Sequence, residues 1–469
     1  MQVKAVQDFL SVIKLLKNNY KLKTQGNDLE RKLGLFAVIN IVVANMIGAG
    51  IFTTTGFLMD MLGNPLLMLA LWLLGGITAF CGALAFSELG AAFPEAGGEY
   101  TFISRLFHPL PGFLSGWLSL IVGFSAPIAA SAIGFSRYFI WAFPGFQSWL
   151  LSSGIGDESL SRFLAVLIIL IFSLLHSRGV VVGSRVQNAL TIIKILLLAG
   201  LVLAGMTVGR GDFKSFISQG GINFNFSGWK SAGLALMFIM FSYSGWNAAT
   251  YIGSEIKNPL KVIPRSLLIS TGVVTVLYLL INLFFVYAIP PEQMAGEPEI
   301  GAMAAGNAFG GAAGKVISLL ISFALFSSLS AFIILGPRVY YSMSRDGLFF
   351  KFASIVHPKY KVPRLALALQ GTIAIVMVLS GTFEQILAYM GFSLGIFPLL
   401  AVAGVFILRI RGRSKLKLPG YPLTHIFFIV ISLSILVLAF FERPAESTIA
   451  ILTALSGIPV YYLFKRGNR

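Results

Sequence analysis

The chain has 469 residues, of which 57% are apolar and only 11% charged, and its mean hydropathy is +0.85. A soluble domain carries about 25% charged residues. This composition therefore excludes an ordinary soluble enzyme and a disordered chain, and leaves a polytopic membrane protein with room for about a dozen spans of roughly 20 residues. The apolar runs are continuous rather than alternating, so the spans are helices and not barrel strands. The net charge of +17 and the single Cys are read with the topology.

Residues 1–18 place Val3, Val6, Phe9, Leu10, Ile13 and Leu16 on one helical face, with Lys4, Lys14 and Lys17 elsewhere. The spacing predicts a short helix on the inner leaflet, within a cytoplasmic segment 1–33; the competing reading is a mobile polar tail. Twelve spans follow, at about 35–58, 66–93, 113–143, 163–176, 186–207, 229–253, 266–288, 312–335, 365–380, 383–408, 424–441 and 447–464. With both termini cytoplasmic, most of the 35 Lys and Arg fall in inner segments, and the outer loops carry acids such as Asp157, Glu158, Glu292, Glu297 and Glu299. This is the positive-inside bias. The basic excess is topological and gives no evidence of a nucleic-acid partner. The first apolar run, from near Leu35, is too long for a signal-peptide core.

Two spans are interrupted in mid-membrane. In span 1 the run is Asn45-Met46-Ile47-Gly48-Ala49-Gly50-Ile51-Phe52; in span 6 it is Phe241-Ser242-Tyr243-Ser244-Gly245-Trp246-Asn247. Either run alone would also suit a Gly packing position between helices. Together they head two blocks of five spans, 34–208 and 229–410, leaving 420–469 for helices 11 and 12 and a tail. Five is odd, so a repeat of five would be inverted, and paired interrupted helices in two halves mark a transporter binding site. A break frees backbone groups. The amides of Ala49, Gly50 and Ile51 at a helix N-terminus suit a carboxylate. The carbonyls of Met46 and of Phe241 to Ser244 suit an ammonium. The pair suits a zwitterion, most simply an α-amino acid. The expected substrate site is Met46, Ile47, Gly48, Ala49, Gly50 and Ile51 with Phe241, Ser242, Ser244, Gly245, Trp246 and Asn247. Trp246 falls deep enough to be a pocket wall, whereas Trp72, Trp141 and Trp229 are placed at the interfaces. Phe241 is a gate or a packing ring. Asn247 binds substrate or braces the break.

Lys194 lies about ten residues into span 5, roughly 15 Å of helix rise from the polar end. An intramembrane lysine is a functional candidate. It can act as a surrogate cation where other transporters bind sodium, bracing spans 1 and 8; it can exchange protons; or it can be a structural donor to carbonyls. Ser327 and Ser328 either face the same place or simply pack. Arg137 snorkels to the outer interface, and Glu88 is a structural or gating acid. His108, His176, His357 and His425 show no metal spacing, and with the lone Cys81 no zinc site is supported. No Walker A motif, G-x-S-x-G elbow or GxGxxG is present. No cofactor and no enzymatic activity are expected.

These residues carry a resemblance. Gly48-Ala49-Gly50-Ile51-Phe52 resembles the G-[SA]-G-I-F signature of the amino acid–polyamine–organocation permease superfamily. Ser87-Glu88-Leu89-Gly90, Pro94, Gly97-Gly98-Glu99-Tyr100 and Arg105 are similar to its signature after span 2. Phe241 to Asn247, Tyr251, Glu255, Asn258-Pro259 and Ile263-Pro264-Arg265 look most like the L-type amino acid transporter branch, and Lys194 matches a lysine of its sodium-independent members. The resemblance implies an all-α, LeuT-like five-plus-five inverted-repeat fold with discontinuous helices 1 and 6 and two extra helices. It implies sodium-independent amino-acid uptake or exchange across the cytoplasmic membrane by alternating access, with the carboxylate at Ala49 and Gly50 and the amine at Met46, Phe241 and Ser244. Asn45 stands where Thr or Gly is expected, and Ala49 replaces the commoner Ser. The outer loop 144–162 has no Cys, so no disulfide-linked accessory subunit is expected, and the chain is read as able to act as a monomer. Mid-depth acids are missing from the spans that line such a site, which favours neutral substrates; a loop acid could still serve cationic ones. A cationic amino acid or polyamine permease of the same fold is the alternative. A channel would need repeated pore-lining polar residues.

Overall fold

The structure is a computed structural model that describes residues 29–145, 148, 156–213, 225–380 and 383–467. The expected inner-leaflet helix at 1–18 lies outside the described residues. The backbone is helical because a chain in hydrocarbon must satisfy its own amides and carbonyls. The helices are α1 Leu35–Met46, α2 Ala49–Leu62, α3 Pro65–Ala92, α4 Glu99–Leu106, α5 Pro109–Leu118, α6 Ser125–Ala142, α7 Asp157–His176, α8 Val180–Val208, α9 Phe226–Tyr243, α10 Pro259–Ala288, α11 Ile300–Phe309, α12 Gly311–Arg345, α13 Arg364–Ser380, α14 Phe383–Ile410, α15 Leu423–Glu442 and α16 Pro444–Gly467. Among the described residues, ten helical stretches are long and apolar enough to cross a membrane, with Leu35–Leu62 and Pro109–Ala142 each counted once. The chain is a multi-pass membrane protein. Two of the twelve expected spans fall outside that set: α13 is shorter, and α9 is followed by turns rather than by more α-helix.

Local chemistry sets the ends. Asn64 accepts from the Leu67 amide at 2.9 Å, with Pro65 in the first turn, and so starts α3 sharply. Asn225 caps α9 in the same way at 2.8 Å. Between α5 and α6 a π-helical turn, Ser119–Gly123, widens the third span beside the cavity described below.

Helix α10 packs along α3 and α1, and α12 packs along α6 and α11. Trp72 belongs to this core and not to an interface: it is fully buried and meets Tyr243 and Tyr278 at ring distances of 5.8 and 5.4 Å. Trp141 and Trp229 are exposed. Glu88, expected as a structural or gating acid, receives the Arg409 guanidinium, the Ser414 hydroxyl at 3.3 Å and the Leu418 amide at 3.1 Å, fastening the basic loop between α14 and α15 onto α3.

Candidate functional site

Two departures from helix meet at one place. After Met46, Ile47 and Gly48 leave the helix, and α2 restarts at Ala49 without a side-chain cap. After Tyr243 the chain extends at Ser244 and turns at Gly245, whose φ is +102°. A Cβ at position 245 would stand 2.3 Å from Asn45 Oδ1, so both the backbone angle and the close approach require glycine. Gly50 is the other contact point. A Cβ there would lie 2.5 Å from Ser242 Oγ and 2.9 Å from its Cα, so α2 and α9 touch almost backbone to backbone.

The second segment does not resume as α-helix, as the sequence had suggested. It continues through two 3₁₀ turns, Ala248–Tyr251 and Gly253–Glu255, and reaches α10 through Asn258 at φ +49°. The Thr250 hydroxyl donates to the Asn247 carbonyl at 2.7 Å, one of the local bonds that compete with helix continuation.

Tyr278 of α10 ties the breaks together. Its hydroxyl lies 2.7 Å from the Met46 carbonyl and 2.9 Å from the Ser242 carbonyl. The Met46 carbonyl, expected to be free for an ammonium, also accepts from the Gly48 amide at 2.9 Å. Sequence reasoning missed Tyr278, because a tyrosine in an apolar helix reads as packing; the available signal was that a buried phenol needs a polar partner.

Lys194 of α8 is fully buried. Its ammonium donates to the Ile47 carbonyl, to Ser328 Oγ at 2.8 Å and toward the Ala44 carbonyl at 3.5 Å. The Ser328 hydroxyl also donates to the Ile47 carbonyl at 2.6 Å. The Lys194 side chain therefore joins the end of α1, the break and α12. Ser327 takes no part in this: it meets Gln187 Nε2 and the Thr191 hydroxyl, both at 3.3 Å.

A cavity opens beside the second break. Phe241, Ser244, Gly245, Trp246 and Asn247 line it, with Asn45 from span 1. Further walls come from the third span between Ser115 and Phe124, from Met237 and Met240 of α9, from Tyr251, from Phe332 of α12, from α14 between Gly391 and Pro398, and from α15 between Phe428 and Leu436. Met46, Ile47, Gly48, Ala49, Gly50, Ile51 and Ser242 are not among the lining residues; Lys194, Ser327 and Ser328 are not either. Trp246 forms a wall, edge-on to Phe86 at 4.8 Å and Phe428 at 5.6 Å. Asn45 is buried, and its side-chain nitrogen has no hydrogen-bond partner among the described residues. An orphaned buried donor costs roughly 1–3 kcal/mol, which a polar ligand in the cavity would relieve.

Glu99, at the start of α4, also lines the cavity. Its Oε1 accepts from Asn247 Nδ2 at 2.7 Å and from the Tyr251 hydroxyl at 3.1 Å. Burial lifts this carboxyl from 4.5 to about 7, outweighing the two hydrogen bonds that lower it. Below the second break the chain is laced shut. The amides of Lys32 and Leu33 donate to the Glu255 carbonyl, each at 2.9 Å, and the Gly97 amide donates to the Tyr251 carbonyl at 3.1 Å. The Glu255 carboxylate is buried in a two-bond pair with Arg338, at 2.9 Å on both sides. Sequence reasoning did not predict this pair, whose members are 83 positions apart.

The comparisons with known proteins agree with this architecture. The family model for amino acid permeases matches residues 33–463. The chain is 29% identical over 451 residues to the serine/threonine exchanger SteT of Bacillus subtilis, covering 95% of this chain and 99% of that one. It is 28% identical to the b(0,+)-type amino acid transporter 1 of Mus musculus, covering 96% and 91%. It is 27% identical to the large neutral amino acids transporter small subunit 2 of the same species, covering 93% and 82%.

Proposed function

The chain belongs to the amino acid permease family, on the L-type side of the amino acid–polyamine–organocation superfamily, and on that premise we propose that it carries neutral, zwitterionic amino acids across the cytoplasmic membrane by alternating access without sodium. It is an amino acid transporter and not an enzyme. The observation that carries the finer reading is the Lys194 ammonium, held between the Ile47 carbonyl in the break and Ser328 in α12. A fixed cation there does what a bound sodium ion would do, neutralising the carbonyl end of α1 and fixing its distance from α12. The cavity walls are largely apolar, and Asn45 offers an unpartnered donor to a polar substrate. The serine/threonine specificity in the name of the SteT relative is compatible with a small polar cargo.

In this reading α9 and α13 also cross the bilayer, giving twelve spans. The blocks 34–208 and 229–410 form an inverted pair of five-helix repeats, flanked by the N-terminal segment 1–33 and by 420–469. Both termini are cytoplasmic, and the chain works as a monomer without a disulfide-linked subunit, as an exchanger or as a proton-coupled symporter. The test is counterflow in proteoliposomes with a panel of labelled amino acids in potassium and in sodium buffer. Uptake of neutral amino acids at equal rates in both buffers is the expected result. A requirement for sodium, or transport of diamines in place of zwitterions, refutes it.

One observation favours the alternative of a cationic cargo: Glu99 puts a carboxyl in the cavity wall. Competition by lysine, arginine or a diamine in the same assay decides between the two.

A further inference from the structure

Besides the paired Glu255 and Arg338, Lys194 and Glu99 lie buried near the breaks, and they differ in access. Lys194 does not line the cavity, and its ammonium faces three oxygen acceptors. Glu99 lines the cavity, is 6% exposed, and has no cationic partner: its hydrogen bonds come from Asn247 and Tyr251 and both end on Oε1. It also sits on a seam. Gly98, at φ +53°, lies against the Tyr251 ring, where a Cβ would be 2.5 Å from ring carbon, and Ala96 pairs with Ile252. The loop before α4 is thus pressed onto the 3₁₀ turns below the second break. Parting that loop from the turns would bring cytoplasmic water to the carboxyl.

We propose that Glu99 is the proton-carrying residue of the transport cycle: its carboxyl takes a proton from the cavity, keeps it while the cytoplasmic seam is shut, and releases it to cytoplasmic water when the seam parts. The inference rests on the transport reading above and adds which residue would couple it to protons. The balance is one proton in from the cavity side and one out to the cytoplasm, with Glu99 alternating between acid and carboxylate.

Among the described residues no charged group is bonded to it. On its own loop Tyr100 and Arg105 bond or pair with Asp346, and Arg105 pairs with Glu95. On α12 Arg338 is paired with Glu255, and Arg345 lies over the Tyr341 ring in a separate pocket that Glu99 does not line. On α14, Arg409 is taken by Glu88. Tyr251 is the titratable group in direct contact. The sign follows from the two environments. The closed form holds the proton up to about pH 7 and the hydrated carboxyl only to about 4.5, so the closed form is favoured as pH falls through that window.

The experiment compares wild type with Glu99→Gln, whose amide oxygen can still accept from Asn247 and Tyr251 but cannot titrate. Counterflow is measured at equal pH on both sides, one unit below and one unit above about 7. Wild type is expected to change rate several-fold across that interval and, in a separate uptake with the lumen made alkaline, to accumulate substrate with the inward proton gradient. Glu99→Gln should give a flat profile with no accumulation. An unchanged pH profile in Glu99→Gln overturns the proposal, as does selective loss of cationic substrates, which would make Glu99 a substrate ligand. A second measurement does not depend on transport. The wild-type minus Glu99→Gln infrared difference spectrum near pH 6 should contain a protonated carboxyl band beyond that of Glu299, whose carboxyl burial also raises to about 7 and which cancels in the difference; its absence from the difference overturns the proposal even if no amino acid is transported. Failure of wild-type counterflow with the band difference intact refutes the transport reading alone.

Discussion

Replacing Lys194 by methionine keeps most of the aliphatic stem and removes the ammonium. Three acceptors lose their donor: the Ile47 carbonyl, Ser328 Oγ at 2.8 Å and the Ala44 carbonyl at 3.5 Å. A hydrogen bond to a charged group is worth about 1.5–3 kcal/mol, but the burial of an ammonium costs several kcal/mol, so its removal offsets most of that loss in stability. The Ile47 carbonyl also keeps the Ser328 hydroxyl at 2.6 Å. The expected change in folding stability is therefore small, within about 2 kcal/mol. Transport should suffer more, because the tie between the break and α12 is what the cation supplies. Loss of about 2 kcal/mol of that coupling corresponds to a rate on the order of 30-fold lower. The assay is counterflow in proteoliposomes normalised to inserted protein, with thermal unfolding followed by size-exclusion chromatography on the same preparation. A wild-type rate at wild-type Tm would refute the reasoning and leave Lys194 a packing residue.

Four further outcomes are expected. Arg338→Met strands the buried Glu255 carboxylate and should cost about 3–5 kcal/mol, read as a lower Tm; pairing it with Glu255→Gln should recover most of the loss. Gly50→Ala drives a methyl into Ser242, an overpacking worth about 1–3 kcal/mol, and should abolish transport before it abolishes folding; normal uptake would disprove the tight contact of α2 and α9. Asn45→Ala removes the unpartnered amide and should raise KM about 5- to 10-fold, close to 1–1.4 kcal/mol, with Tm unchanged or higher. Glu88→Gln weakens the anchor for Arg409 and the Leu418 amide, so protease cutting within 411–417 should quicken without loss of the transmembrane core; equal cutting rates would contradict that role.

The breaks were legible because Gly, Ser and Asn are conspicuous within apolar runs, and their pairing in two blocks pointed to a common centre. Lys194 was legible for the same reason. What the sequence hid is whatever depends on three-dimensional partnership. Tyr278 has the same one-dimensional signature as a packing ring, yet its hydroxyl bridges both broken segments. Glu99 stood inside a loop motif, and only the fold of Gly97 and Gly98 onto Tyr251 brings it to the cavity. Trp72 lies near the start of its helix and so suggested an interface, but the aromatic contacts with Tyr243 and Tyr278 draw it inward. Helix propensity gave no hint that the chain after Asn247 would adopt 3₁₀ turns, where the Thr250 hydroxyl bonds back to the Asn247 carbonyl.

One wall of the cavity belongs to α15, a helix beyond the tenth expected span. Phe428 meets Trp246 there, and Ser432 and Leu436 continue the same surface. On the transport reading proposed above, a smaller side chain at Leu436 would enlarge the chamber from a helix that carries neither break nor the lysine tether. On that same reading, selection for a new nutrient can act on a partition separate from the broken segments, and those segments need not be rebuilt each time the cargo changes.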